Sequence, residues 1–298
     1  MARRRRGRQV HGWLILDKPG GVTSTAAVAE VRRLFDAAKA GHAGTLDPLA
    51  TGILPIALGE ATKVVAMVMD QPKRYRFTVR WGEQRDTDDA EGTVLARREA
   101  RPGAAEIAAI LPDFLGDIEQ VPPAFSAIKV AGERAYDLAR DGRPPELAPR
   151  QVRIDEFELL DVPDRDHASF ALRCGKGAYV RSLARDLGQR LGCLGHVASL
   201  RRTAVGPFTE TDAIPLDKAR ELRHKEALDP ALLPVQIALV DIPALAVTGP
   251  EAHRLKCGQA IRVPNKVEGT VYAMAEGRPV ALARAEDGEV RPVRVFNL

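Results

Sequence analysis

The sequence predicts an α+β protein: a mixed, largely antiparallel sheet domain followed by a small β-rich C-terminal unit. Three observations carry this. Tyr75, Phe77, Val79 and Trp81 alternate with Arg74, Arg76, Thr78 and Arg80, the period-two pattern of a strand with one buried face. Val180, Leu183, Ala184, Leu187 and Leu191 recur at helical spacing, with Gly192 as a stop. Strands and helices otherwise mix without the regular alternation of a doubly wound sheet, and short strands dominate beyond Pro243.

In chain order, residues 1–10, with Arg3, Arg4, Arg5, Arg6 and Arg8, are expected to be a solvated basic tail. A strand over Gly12–Asp17 meets the turn Lys18-Pro19-Gly20-Gly21. A helix capped by Thr23 or Ser24 follows, with Val28, Val31, Leu34 and Phe35 on one face. After the strand at residues 74–81, a strand over Thr93–Arg97 and a helix over Ala104–Leu111 are expected. A loop over Val121–Lys129 and a helix over Glu133–Arg140 come next, then strands over Gln151–Leu160 and Ser169–Cys174 and the helix Val180–Leu191. Residues 11–242 form the expected main domain. Residues 243–298 form the β-rich unit, with a helix over Ala252–Cys257 and strands over Thr270–Ala275, Pro279–Arg284 and Val290–Val295. Gly277 and the Asp287-Gly288 turn separate those strands.

Composition excludes several classes. With 44 basic and 40 acidic residues the net charge of +4 is modest, so the basic excess alone does not argue for nucleic acid. Cys174, Cys193 and Cys257 are odd in number and form no Cys-x-x-Cys pair, against a disulfide framework or zinc site and for a reducing compartment. The longest apolar block near residue 64 is far short of a membrane span, and Trp13-Leu14-Ile15-Leu16 is too short for a signal-peptide core. The cytoplasm is the expected location and no membrane partner is expected. The glycine turn before the first helix lacks both Walker and dinucleotide spacing, and no histidine pair has metal-ligand spacing. No metal is expected.

The candidate chemistry centres on Asp47, a lone acid among glycines and small residues in Gly41-His42-Ala43-Gly44-Thr45-Leu46-Asp47-Pro48-Leu49-Ala50-Thr51-Gly52. Asp before Pro is equally suited to capping a helix, and local residues leave cap and reactive carboxylate balanced. Tyr75, flanked by Lys73, Arg74 and Arg76, suits a strand core or an aromatic–basic patch that stacks a base and contacts phosphates. Arg181 reads as a surface arginine with Arg185 four residues on, like charges that repel unless an anion or acid intervenes. His42 reads as a polar turn contact, and Arg201-Arg202 as a surface pair.

Seven segments, in order, resemble the bacterial TruB-type tRNA pseudouridine-55 synthases. They are residues 18–24 (KPGGVTS), 44–52 (GTLDPLATG), 73–75 (KRY), 86–92 (DTDDAEG), 122–129 (PPAFSAIK), 176–182 (KGAYVRS) and 200–203 (LRRT). They span most of the chain. Departures are mild: Phe125 stands where relatives often carry tyrosine, and Ala178 precedes Tyr179 where other small or polar residues occur.

The resemblance implies a pseudouridine synthase domain with an RNA-binding cleft and a PUA-like C-terminal domain. It implies isomerisation of uridine 55 in the T loop of tRNA by base flipping, without a cofactor, because pseudouridine formation neither gains nor loses atoms. By the same resemblance Asp47 is the catalytic carboxylate and Arg181 its ion-pair partner. Tyr75 stacks on the flipped uracil and assists proton removal from C5. His42 helps hold the T loop open, Tyr179 and Leu200 line the pocket, and Lys18 and Arg202 support the site or the RNA backbone. The expected partner is the T arm of tRNA, with no guide RNA and a monomeric protein. The alternatives are a non-catalytic tRNA-binding or tRNA-folding protein and a relative modifying another RNA.

Overall fold

The computed structural model describes residues 7–130, 132–225, 227–264 and 267–298. The run Arg3–Arg6 lies outside the described residues. The expected tail is shorter than residues 1–10: Arg8 pairs with Asp229 at 2.6 Å, and Val10 is buried.

One large sheet organises the chain. Its strand order is Ile214–Pro215, Gly12–Lys18, Thr51–Leu58, Gly195–Val205, Lys73–Trp81, His167–Cys174, Arg150–Asp164 and Gly116–Gln120, with Ala40–His42 and Phe208–Thr209 attached at the sides. Two pairings are parallel, Gly12–Lys18 with Ile214–Pro215 and Gly195–Val205 with Thr51–Leu58; the others are antiparallel. The expected mixed, largely antiparallel α+β architecture is therefore the one observed.

Alternation decides the faces. Lys73, Phe77, Val79 and Trp81 are buried, Tyr75 is half-buried on their side, and Arg74 and Arg76 are exposed on the other. The buried side faces the helices Ser24–Leu34 and Val180–Arg190, whose Val31, Leu34, Leu183 and Leu187 belong to one core with Phe77, Val79 and Phe170. Phe77 and Phe170 stack at 5.3 Å between centroids, an aromatic pair worth about 0.5–1.5 kcal/mol beyond its area. Thr23 caps the first helix by accepting from the Ala26 N–H at 3.1 Å.

The C-terminal unit is a five-stranded sheet in the order Ala244–Ala246, Gly269–Ala275, Arg278–Glu286, Glu289–Val295 and Ile261–Arg262, under the helix Gly249–Lys256. Its two hairpins turn at Glu276-Gly277 and Asp287-Gly288. All four residues have positive φ, as two-residue hairpin turns that match strand twist require. This sheet shares a core with the large one: Leu282 and Phe296 pack with Trp13, Ile15 and Ile53. Lys63 Nζ donates to the Val295 carbonyl at 2.7 Å across the seam.

Several expectations need correction. Glu133–Arg134 pairs as a strand with Lys129–Val130, and the helix there is only Ala135–Arg140. Thr51–Leu58 and Gly195–Val205 are central strands that were not expected. Among the described residues no helix is long and apolar enough to cross a membrane. Cys174, Cys193 and Cys257 are free thiols.

Candidate active site

No helix starts at Asp47-Pro48, so the capping alternative fails. Residues 43–50 form a loop between the strands Ala40–His42 and Thr51–Leu58, closed by a turn in which the Ala50 N–H donates to the Asp47 carbonyl at 3.1 Å. The carbonyls of residues 44–48 and several N–H groups around the acid are tied down. Ser24 Oγ donates to the Leu46 carbonyl and accepts from its N–H, both at 2.8 Å. The Gly21 N–H donates to the Pro48 carbonyl at 2.8 Å, and the Ala43 N–H to that of Pro55 at 2.9 Å. The turn Lys18–Gly21 and the first helix thus serve to grip this loop.

Two buried cations lie beneath it. Arg202 donates through Nε to the Ile53 carbonyl at 2.8 Å, through Nη1 to Thr45 at 3.2 Å and through Nη2 to Gly44 at 3.0 Å. Lys18 Nζ donates to the carbonyls of Pro19, Val22 and Pro48 at 2.8, 2.7 and 3.3 Å. All three ammonium protons are thereby used. Burial pushes the Lys18 ammonium down to about 8, against the pull of Asp47. These side chains brace the loop. The part of the expectation that gave Lys18 and Arg202 contacts to an RNA backbone is not supported, because both are fully buried with their donors turned to protein carbonyls.

The Asp47 carboxylate is half-buried, and Arg181 meets it from the helix Val180–Arg190. Arg181 Nε stands 2.9 Å from Asp47 Oδ2 and 3.7 Å from Asp89 Oδ2, but its N–H points at neither in hydrogen-bond geometry. The guanidinium hangs instead from two carbonyls, Nη1 to Thr87 and Nη2 to Phe125, each at 2.9 Å. Asp47 is thus attracted by charge while, among the described residues, no group makes a directed bond to its lone pairs. Such a group can act as nucleophile or base.

Asp89 is a functional candidate that sequence reasoning passed over. It is buried, and its Oδ1 accepts from Thr87 Oγ1 at 2.6 Å and from the Glu91 N–H at 3.1 Å, which leaves Oδ2 toward Arg181. The signal was present: Asp86, Asp88, Asp89 and Glu91 are acids enough to intervene between Arg181 and Arg185. Gln120 was also missed. Its side chain accepts from the Tyr179 N–H at 2.8 Å and donates to the Tyr179 carbonyl at 3.1 Å, fixing the residue that precedes the Arg181 helix.

Tyr75 pairs with Arg202 in register, on the buried side of its strand, and Leu200 pairs with Phe77 on the next strand over. Burial pushes the Tyr75 phenol up to about 12 against the pull of Arg202, so the hydroxyl stays protonated at neutral pH and suits a donor rather than a base. The expected patch around Tyr75 divides. Arg74 and Arg76 lie on the opposite face, and buried Lys73 donates to the carbonyls of Met69 and Gln71. Arg201 and Arg202 divide likewise, Arg201 pairing with Asp17 at 2.9 Å and Glu210 at 2.6 Å.

Burial, then Arg202, lowers the His42 pKa, so its ring is neutral; Nδ1 is buried without a partner. Burial raises the Tyr179 phenol. Of the named residues, Asp47 and Arg181 meet directly. Lys18 and Arg202 sit under the Asp47 loop, Tyr75 beside Arg202, and Tyr179 immediately before the Arg181 helix. His42 ends the strand that leads into the loop. Leu200 joins the group only through its strand. No group of acids, histidines and cysteines among the described residues is arranged to hold a metal ion.

The model of the TruB family pseudouridylate synthase N-terminal domain matches residues 32–180, and that of the tRNA pseudouridylate synthase B C-terminal domain matches residues 181–240. A protein named tRNA pseudouridine synthase B from Bradyrhizobium diazoefficiens is 59% identical over 304 residues, covering 99% of this chain and 88% of its own. One of the same name from Gluconacetobacter diazotrophicus is 56% identical over 305 residues, covering 99% of this chain and all of its own. Among solved structures, the archaeal box H/ACA sRNP Nop10-Cbf5 complex contains a chain matching with a TM-score of 0.74 at 26% identity, over 97% of this chain and 86% of that one.

Proposed function

The chain belongs to the TruB family of pseudouridylate synthases and is a tRNA pseudouridine synthase, and we propose that it isomerises uridine 55 of the T loop by extruding the base toward Asp47. The reaction breaks the N1–C1′ bond, turns the uracil and joins C5 to C1′. The C5 proton is lost and N1 gains one, so atoms balance without a co-reactant. The observation that carries the reading is the Asp47 carboxylate itself: charge-paired with Arg181 at 2.9 Å, without a directed hydrogen bond among the described residues, on a loop pinned on both sides.

In this reading Asp47 attacks the sugar or base, or takes a proton, with the Arg181 guanidinium beside it as its charge partner. Tyr75 stacks on the uracil, an interaction worth about 1–3 kcal/mol, against a few kcal/mol for extrusion. Its hydroxyl serves as a neutral donor. Neutral His42 fills the space the base vacates, and Tyr179 and Leu200 line the pocket. Lys18 and Arg202 hold the Asp47 loop. Residues 11–242 carry the catalysis and residues 243–298 contact RNA. The likeness to a chain of the archaeal box H/ACA sRNP complex, at 26% identity, is distant beside whole-chain relatives at 52–59% identity, which favours a stand-alone enzyme.

Asp47→Asn should abolish tritium release from C5-labelled uridine in tRNA, or in a T-arm stem-loop alone, while tRNA binding stays within about twofold. Turnover at the parental rate would remove Asp47 from the chemistry.

A further inference from the structure

The two arginines of the helix Val180–Arg190 share successive acids. Asp88 has a left-handed backbone, φ +59°, which turns it away from Asp89. Arg185 takes Asp88, Nη1 to Oδ2 at 2.9 Å, while Asp89 is left facing Arg181. Both members of the Arg185–Asp88 pair are largely buried, with 15% and 8% of their side chains exposed. Arg185 also donates through Nη2 to the Val121 carbonyl at 2.8 Å, an oxygen that Ser182 Oγ shares at 2.8 Å, and through Nε to Asp186 at 2.9 Å. The segments that Arg185 grips are the two from which Arg181 hangs, through Thr87 and Phe125.

We propose that Arg185 is a positioning residue: it holds Asp88 away from Arg181, so that the Arg181 guanidinium remains available to Asp47. The inference rests on the reading of Asp47 as the reacting carboxylate. Arg185 touches neither Asp47 nor the space above it, and acts only through the charge it occupies. A buried carboxylate stripped of its partner is strongly unfavourable, and the other cation acting on Asp88 is Arg181. Asp88 would then compete with Asp47 for that cation. Arg181 already contributes to the field on Asp88, which fits this proximity.

The test uses the full chain at pH 8.5, well above the value of about 6 to which burial pushes Asp88 in the parent. Single-turnover tritium release and tRNA affinity are measured for Arg185→Gln, Arg185→Lys and the double variant D88N/R185Q. Arg185→Gln is expected to lose at least about tenfold in rate with affinity within about twofold. Arg185→Lys, which keeps a charge beside Asp88, should stay within about threefold of the parent. The double variant should regain most of the rate, because no carboxylate remains to compete. A parental rate for Arg185→Gln, or a double variant no faster than the single one, would overturn the inference. Should Arg185→Gln not fold, the double variant decides alone: a near-parental rate supports the role and a tenfold loss refutes it. Asp47→Asn measured in parallel separates the two ideas. An active Asp47→Asn removes the underlying reading, whereas a dead Asp47→Asn beside a parental Arg185→Gln removes only this one.

Discussion

Replacing Arg202 with methionine separates a brace from an RNA contact. The guanidinium is 1% exposed and makes three bonds to the carbonyls of Ile53, Thr45 and Gly44. Bonds to a charged donor are worth about 1.5–3 kcal/mol each, so the three sum to roughly 5–9 kcal/mol. Against this stands the desolvation of a buried cation that has no carboxylate bonded to it, several kcal/mol after relaxation. The net loss of stability for Arg202→Met is therefore about 2–4 kcal/mol, read as a lower urea midpoint at unchanged slope. Methionine fills much of the aliphatic volume, so the fold should survive, while Gly44 and Thr45 lose their tether and tritium release slows. The salt dependence of tRNA binding should not change. A phosphate contact contributes roughly 0.7–0.9 to the log–log slope, and Arg202 has no donor turned to solvent. A slope reduced by about that amount, with the urea midpoint intact, would refute the assignment of Arg202 as a brace.

Two further outcomes are expected. Gly52 has φ +98°, and a Cβ there would lie 2.2 Å from the Arg202 carbonyl oxygen where the parallel strands pair. Gly52→Ala should lose about 3–5 kcal/mol in urea unfolding, whereas Gly20→Ala, whose Cβ would meet nothing closer than 3.6 Å, should lose less than about 1 kcal/mol; equal losses would disprove the close approach. Tyr75→Phe should fold and retain stacking yet turn over more slowly. With the phenol at about 12, the parent should show no rate increase between roughly pH 7 and 10 that the variant lacks. An alkaline rise present in the parent and absent from Tyr75→Phe would mean that the phenolate acts.

The sequence made legible those elements whose burial is one-sided. Lys73–Trp81 could be read because one face meets the core and the other meets water. Thr51–Leu58 is buried on both faces and carries Pro55, so it showed neither alternation nor an ordinary strand composition. Gly195–Val205 was hidden by Arg202, a charge placed in the core because three carbonyls receive it. Asp47 was undecided between cap and catalyst while only its neighbours were in view. Arg181, which meets its carboxylate, and the Ser24 hydroxyl, which holds the adjacent Leu46 backbone, come from other parts of the chain. The Tyr75 patch failed for a local reason, since adjacent strand residues point to opposite faces. Asp89 went unnoticed because its role depends on where the Arg181 helix packs.

The tethers on the Asp47 loop bear on how substrates are chosen. A carboxylate whose loop backbone is pinned through Ser24, Gly21, Lys18 and Arg202 has little room to travel toward a uridine. The conformational work then falls on the RNA, whose base must unstack and swing out at a cost of a few kcal/mol. Such a site measures pliability. Two RNAs with the same bases around the target would differ in rate if one presents that uridine in a loop already bent outward and the other in a stacked stem. Sequence would be read indirectly, as the ease with which a strand deforms to meet an acid that does not move.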